Sequence, residues 1–526
     1  MQSGDVVGGR YAKYVLGVLV VVYVFNFIDR QILSILAEEI KADLGLSDAQ
    51  IGFLYGTAFA VFYSVFGIVL GRLADVWVRK SLIAIGLTFW SIMTALSGTA
   101  RSFASLAVFR FGVGVGESSA TPAAFSILSD YFPSRVRATV LAVYSSGVYI
   151  GAGIGLFLGG SIVEWWGAAY PDHTTAPLGL RPWQAAYMTV GLPGILVAIL
   201  VATLREPRRG MSDGIETPRH PRPFAEAGRE FMSLFPPFSL FVLVRAAGAR
   251  AVMTNVAVGL GIAVVATLLI RWLGAVSQWV ALGFGVYIAF SWVQNLKLRD
   301  PAAFQMIFGC PTIRCVMVAF PCVAFVTYGL GFWSVPFMLR VNEGLQPGEL
   351  GRTIGVIAAI GGFIGVVGGS VLSDHLKQRR PNAGLYVAFL VPVLTVPLNV
   401  LFLFTDSLTV QYATAFVSNI TSTLWIGIGA GTLNDLVLPR MRALASAFYL
   451  LVITFVGLAL GPYVIGQLSD HLVSTGYSSG DALRYAQLYG LSSLAVTAVF
   501  VLLATRYLQR DRDSVLVRAR ALGEPV

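Results

Sequence analysis

The chain is organised by apolar runs long enough to cross a bilayer, and this feature limits its fold more than any other. A spanning helix needs about 20 apolar residues. Such runs lie near 13–37, 50–72, 81–100, 103–129, 138–160 and 182–204, then near 251–270 and 275–295, and finally near 312–338, 350–372, 385–404, 407–431, 443–466 and 485–505. The sequence therefore predicts an all-α polytopic protein of about fourteen spans, grouped six, two and six. Composition agrees: 56% of the 526 residues are hydrophobic and only 12% are charged, against about 25% charged in an ordinary soluble domain. A soluble core cannot hide that much apolar surface, so the excess must face lipid. A water-soluble enzyme, a secreted domain and a disordered chain are all excluded.

The net charge of +10 has the distribution of an orientation signal and not of a nucleic-acid footprint. With the N-terminus placed in the cytoplasm, outer loops hold seven basic residues (Lys41, Arg101, Arg181, Arg271, Arg340, Arg352 and Arg484). Two more, Arg30 and Arg110, lie inside spans, which leaves 28 of the 37 Lys and Arg on the inner side. That bias predicts both termini in the cytoplasm of a bacterial inner membrane, and no nucleic-acid partner. The first apolar run has no small-residue cleavage site near its end and is expected to stay as a span. Cys310, Cys315 and Cys322 lack metal-ligand spacing and histidine company, and are expected to be packing residues.

The expected domain order is a six-helix bundle over 1–204, a polar linker over 205–250, a two-helix insertion with its linker over 251–308, a second six-helix bundle over 309–507, and a basic tail over 508–526. The linker rests on the Pro-, Arg- and Glu-rich stretch from Arg205 to Glu230. The two sixes resemble each other weakly. Asp75 in GRLADVWVRK aligns with Asp374 in SVLSDHLKQR at an offset of 299, and Arg135 and Arg137 align with Arg440 and Arg442 at an offset of 305. Two matches in order suggest duplicated halves, a common transporter design.

A charge inside a span costs several kcal/mol and is functional by default. Four lie well inside: Asp29, Arg30, Arg110 and Glu117. Arg110 and Glu117 are seven residues apart, so they share one helix face about 10 Å apart along its axis. Gly112, Gly114 and Gly116 between them permit close backbone approach. Counting depth from the outer ends, Asp29 and Arg110 fall at one level and are expected to meet, which leaves Arg30 as a free cation and Glu117 without a full-time partner. The alternative is a static charge network that only fixes helix packing. No histidine lies in a span, so neither an imidazole proton relay nor a metal site is expected, and no cofactor. Tyr328, Phe332, Trp333 and Trp425 read first as packing or lipid contacts; Tyr328 and Trp333 enter the candidate substrate surface.

GRLADVWVRK resembles the signature loop of the major facilitator superfamily, with Gly71, Leu73, Asp75, Arg79 and Lys80 matching and Val76 and Val78 departing from it. NFIDRQILSILAEEIKADLGLSDAQIGFL, FRFGVGVGESS, DYFPSRVRATVLA and LREPRRG are similar to the Spinster branch. The resemblance implies two six-helix bundles around a cavity that opens alternately to either side; the helix pair at 251–295 departs from the usual twelve. It implies that Asp29, Arg30, Arg110 and Glu117 are the charged cavity positions, with Glu117 and Asp29 coupling protons and Arg30, Arg110 and Glu117 contacting substrate. It also implies a cytoplasmic gate at Gly71, Asp75, Arg79 and Lys80, joined by Arg135, Arg137 and, by the internal repeat, Asp374. The run from Gly147 to Gly160 is like an antiporter glycine motif without its proline.

The expected function is secondary transport of an amphiphilic lipid-like substrate, of lysophospholipid or sphingosine-phosphate type, by a monomer coupled to protons and surrounded by membrane lipid. The alternatives are an uncoupled facilitative carrier and a carrier of drugs or small organic anions. An enzyme or a channel is disfavoured, because neither a nucleophile–base pair nor a repeated filter motif is visible.

Overall fold

The computed structural model describes residues 7–213, 221–378, 380 and 382–524. The middle of the expected linker, Arg379 of the second repeat motif and the last two residues of the tail lie outside the described residues. Every regular element among the described residues is helical. The major helices are α1 (Arg10–Leu44), α2 (Asp48–Tyr55 continuing as Thr57–Val76), α3 (Arg79–Ser97), α4 (Phe103–Glu117 then Ala120–Tyr131), α5 (Ser134–Ser145 then Gly147–Ala169) and α6 (Pro182–Thr203). The inserted pair is α7 (Phe238–Leu273) and α8 (Val276–Arg299). There follow α9 (Pro311–Val341), α10 (Pro347–Lys377), α11 (Ala383–Phe404), α12 (Leu408–Thr423 then Ile426–Asp435), α13 (Arg442–Ile453, a π-helical stretch Thr454–Leu460, then Gly461–Ser474) and α14 (Ser479–Gly490 then Ser493–Asp513).

Twelve helices among the described residues are long and apolar enough to cross a membrane, α7 and α8 included. The remaining two of the fourteen expected spans are present as α4 and α12, each broken into two shorter helices, at Ser118–Ser119 and at Leu424–Trp425. Pro122, four residues after Ser118, lacks the N–H that would bond the Ser118 carbonyl and accounts for the first break; no proline accompanies the second, and hydropathy shows neither.

The described residues fall into two compact units. The first comprises Met1–Leu46, Ala58–Met232 and Gly344–Ala359; the second comprises Ser47–Thr57, Ser233–Glu343 and Ile360–Val526. In the first unit α1 packs on α5, α3 packs on α4 and α6, and α1 also touches α6. In the second, α9 packs on α14 and α13, α11 packs on α12 and α14, and the first piece of α2 packs on the last piece of α13. Local chemistry sets the helix ends. Ser47 accepts from the backbone N–H of Gln50 at 3.2 Å while the Gln50 side chain accepts from the Ser47 N–H at 3.0 Å, closing a capping box at α2. Gly45 ends α1 in the left-handed conformation at φ 63°.

Small residues allow the helices of the first unit to close. A Cβ on Gly114 would lie 2.6 Å from the Phe59 carbonyl oxygen, and one on Gly116 would lie 2.8 Å from the Trp90 Cβ. The stripe between Arg110 and Glu117 is therefore the surface on which α2 and α3 meet α4. The inserted pair coheres differently: Asn255 of α7 donates to Ser291 Oγ (3.1 Å) and Gln294 Oε1 (2.7 Å) and accepts from the Tyr287 hydroxyl (2.6 Å), all on α8. Interhelical side-chain bonds of this type hold helices together in lipid, where apolar burial supplies little net force.

Gly114→Ala must push a backbone carbonyl away, and is expected to cost about 1–3 kcal/mol. Gly17→Ala, whose new Cβ meets nothing within 4 Å, is expected to be neutral or slightly stabilising. Thermal unfolding of both variants in detergent compares them directly.

Candidate functional site

The four intramembrane charges all lie in the first unit, and the structure pairs them differently from the depth argument. Arg30 is not a free cation: its Nε donates to Glu117 Oε2 at 2.8 Å, and the Glu117 side chain is fully buried. The Arg30 guanidinium carbon also lies 4.8 Å from the Phe27 ring centroid, 4.2 Å from Phe59 and 4.7 Å from Tyr63. Three aromatic faces and one carboxylate thus surround a single cation. Arg110 does turn toward Asp29, but its Nη1 donates to the Asp29 backbone carbonyl at 3.1 Å and leaves the carboxyl aside. Helix phase explains the exchange. Asp29 and Arg30 point about 100° apart, and α1 turns Arg30 toward α2 and α4 while Asp29 is turned inward and buried.

Each ring of the cage has a local origin. Phe27 is three residues before Arg30 on one face of α1. Phe59 and Tyr63 are four apart on the second piece of α2, with stacked rings 5.2 Å between centroids. Cation–π attraction strengthens when water is excluded, so the cage stabilises the guanidinium without neutralising it. The only charge-neutralising partner that the ion pair supplies is Glu117, a group that a proton can switch off.

The expected gate residues split into two sets. Arg79 is buried and forms a hub at the start of α3. Its guanidinium pairs with Asp130 and donates to Glu206 Oε1 (2.8 Å), Ser126 Oγ (2.7 Å) and the Pro207 carbonyl (2.9 Å). Glu206 also accepts from the backbone N–H groups of Arg79 (3.2 Å) and Lys80 (3.0 Å), capping the helix. Lys80 Nζ donates to the carbonyls of Ala202 (3.0 Å) and Leu204 (2.6 Å) at the end of α6. Arg137 donates to Ser212 Oγ at 2.7 Å and to the Ser129 carbonyl at 3.1 Å. A Cβ on Gly71 would lie 4.0 Å from the Pro122 ring. Asp75, Arg135 and Asp374 are exposed.

Sequence reasoning missed the acidic partners Asp130 and Glu206. Their signal lies in DYFPSR and LREPRRG, each of which sets an acid among the basic residues of its motif. Arg209 of the second motif donates to the Ala74 carbonyl at 2.7 Å and to that of Trp77.

The second unit does not repeat this hub. Arg440 pairs with Asp300 at 2.7 Å and with Glu524 of the tail. The Arg440 contacts hold both carboxyls below their ordinary values. Depressed carboxyls favour the paired state above their unfolded pKa, so this tie persists through neutral pH and is lost as pH falls into the acid range. Asp511 accepts from the Cys310 thiol (3.3 Å) and from the Thr312 N–H (2.9 Å) and hydroxyl (2.7 Å). The three cysteines are free thiols, and burial pushes that of Cys310 up to about 11. Arg340, counted above as an orientation charge, is instead largely buried. It forms a two-pronged pair with Asp48 at 2.7 and 2.8 Å, and Asp470 accepts the N–H groups of Asp48 and Ala49. Trp333 is fully buried and donates its indole N–H to the Pro462 carbonyl at 2.8 Å, while Tyr328 is half-buried on α9. Phe332 packs on Tyr55 and Trp425 on Phe320.

A paired-bundle helical protein with charges buried inside one bundle is a membrane carrier by design, and comparison fixes its kind. The profile of the Major Facilitator Superfamily matches residues 19–462, and the chain belongs to that family, within it to the Spinster type. It is 23% identical over 523 residues to protein spinster of Drosophila melanogaster, covering 98% of this chain and 71% of that protein. It is 27% identical over 505 residues to an MFS-type efflux pump of Mycolicibacterium smegmatis, covering 96% and 95%. The crystal structure of a bacterial homologue of the human lysosomal transporter Spinster, inward-facing and occupied, superposes with a TM-score of 0.71 at 25% identity over 96% of this chain and 99% of that one. The protein is thus an integral membrane transporter that works by alternating access, and not an enzyme.

Arg79→Ala would strand two carboxylates beside a helix start. Removing one partner of a buried pair costs about 3–5 kcal/mol, so the melting temperature is expected to drop by several degrees. Arg79→Lys keeps a charge but loses the fork and should fall between the two.

Proposed function

We propose that the protein is a proton-coupled carrier of amphiphiles with an anionic or zwitterionic head group, of lysophospholipid or sphingosine-phosphate type. The Arg30–Glu117 pair inside its aromatic cage carries this reading. When Glu117 takes a proton, Arg30 loses its counter-ion but keeps its charge. A phosphate or carboxylate head group can then make the charge-assisted contact that Glu117 gave up. Binding of the proton and of the anion thereby favour each other, and coupling of this type is reciprocal. The rings of Phe27, Phe59 and Tyr63 supply apolar surface beside the cation, suited to the first carbons of a lipid tail. Asp29, Arg110, Tyr328 and Trp333 remain candidates for the same cycle, and Asp75, Arg79, Lys80, Arg135, Arg137 and Asp374 for a gate. A bacterial inner membrane with both termini in the cytoplasm accords with the distribution of Lys and Arg, and the carrier is proposed to act as a monomer.

A second reading, efflux of drugs or small organic anions, has one specific observation in its favour: the mycobacterial relative named as an efflux pump aligns over nearly its full length. An uncoupled carrier is a third, in which the ion pair would serve packing alone.

In proteoliposomes with an imposed pH gradient, wild-type flux of a lysophospholipid should follow the gradient. Glu117→Gln imitates the protonated acid, and its substrate affinity should be independent of pH at the level wild type reaches in acid. Unchanged pH dependence in this variant would reject the coupling role. Arg30→Ala should weaken phosphate-bearing lipids at least tenfold more than neutral amphiphiles, a ratio that corresponds to about 1.4 kcal/mol. Equal losses for both classes would point to the efflux reading.

A further inference from the structure

Glu117 satisfies its charge through Arg30; Asp29 has no comparable partner. Its side chain is fully buried, and neither carboxyl oxygen accepts a hydrogen bond from the protein. Against it on α3 lie the indole N–H of Trp90 and the hydroxyl of Thr94, one helical turn apart on a single face. The Tyr187 hydroxyl of α6 lies within electrostatic reach. All three donors are on fully buried side chains, and none has a protein acceptor. One acid and three donors are thus gathered in a sealed interior; Thr94 and Trp90 lie near enough to act on the carboxyl, yet no bond of ordinary length and angle is closed. Buried polar groups are almost always paired, and an unpaired cluster calls for a reason.

The other groups around Asp29 do not supply that reason. From α4 come Arg110, which holds the Asp29 carbonyl, and the Glu117 carboxyl. Arg30, next to it on α1, is committed to Glu117. At this level α5 brings Gly151 and Gly155 against α1. From α3 and α6 the contributions are Trp90, Thr94 and Tyr187.

We propose that Trp90, Thr94 and Tyr187 form a donor seat for Asp29, closing on the charged carboxylate and releasing the protonated acid. They are positioning residues for the proton step, which they serve through Asp29 without touching substrate. An ionised carboxylate in this interior is stable only with donors around it. In the charged state Thr94 and Trp90 donate to its oxygens, and Tyr187 of α6 adds a third bond. A neutral acid needs at most one such contact, so protonation frees α1 from α3 and α6. The charge of Asp29 thereby becomes a link between helices. This inference rests on the proton-coupled reading, but it makes a claim of its own about the affinity of Asp29 for its proton.

The test titrates Asp29 apart from transport. In pH-difference infrared spectra of the purified protein, the protonated-carboxyl band that disappears in Asp29→Asn reports this residue. Thr94→Val and Tyr187→Phe each remove a donor to the charged form, so the acid should hold its proton more tightly. The midpoint of that band is expected to move up by about one pH unit in each, while Thr94→Ser restores the wild-type midpoint. Trp90→Phe is a third variant, should either of the others fold poorly. Unmoved midpoints in the folded variants, or a shift that Thr94→Ser reproduces, would overturn the donor seat even if lipid flux follows the pH gradient. Shifted midpoints with flux indifferent to pH would sustain the seat and reject the coupling reading instead.

Discussion

A guanidinium held in a bilayer interior by one carboxylate is the constraint around which the first unit is built. Isolated charges at that depth cost several kcal/mol each, so Arg30 and Glu117 must be brought together, and the packing obeys. Gly114 and Gly116 let α2 and α3 close on α4, and Arg30 of α1 meets Glu117 of α4 at 2.8 Å. The same closure delivers Phe59 to the face of the guanidinium. Glycine spacing and aromatic cage are therefore one arrangement, because Phe59 faces both Gly114 and the guanidinium.

The energetic logic of that pair differs from that of the Arg79 hub. Arg79 has two carboxylate partners, a serine and a backbone carbonyl. Protonating one of these acids leaves the cation still well satisfied, so the hub is insensitive to a single proton. Arg30 has one acid and three ring faces. The rings attract the cation but cannot cancel its charge, so removing the charge of Glu117 leaves Arg30 demanding an anion. The number of carboxylates around each arginine separates a brace from a switch. By that criterion Arg340 on Asp48 resembles a switch in having one acid, yet Asp48 also accepts from Ser469 at 2.7 Å, which anchors the carboxylate.

Much of this was legible in the chain. Asp29, Arg30, Arg110 and Glu117 announce themselves because an apolar run makes any charge conspicuous, and the signature loop located Arg79 and Lys80. Pairing was not legible. Depth along the helices is set by a rise of about 1.5 Å per residue and can be counted, but rotation about each helix axis depends on packing, and rotation turned Arg30 toward Glu117 of α4 and Asp29 toward α3 and α6. The two breaks differ: in α4, Pro122 cannot donate to the Ser118 carbonyl four residues before it, a signal present in the chain, whereas Leu424–Trp425 in α12 carries no helix breaker. Asp130 and Glu206 were invisible as partners because 76 residues separate them and only folding brings them to one arginine.

The two units also show how far an internal repeat constrains a site. Arg135 and Arg440 align, yet Arg135 is exposed while Arg440 joins Asp300 and Glu524. Arg440 has gained partners from segments that have no first-half counterpart, the end of the inserted helix pair and the tail, while Arg442 donates to the Asn434 carbonyl eight residues back, as Arg137 does to that of Ser129. Duplication preserved the backbone path while the chemistry diverged, because a helical scaffold needs only apolar faces and small residues at crossings to persist. The intramembrane charges obey the same rule. The second unit folds without intramembrane counterparts of Asp29, Arg30, Arg110 and Glu117 among its described residues, so the helical scaffold does not itself demand them.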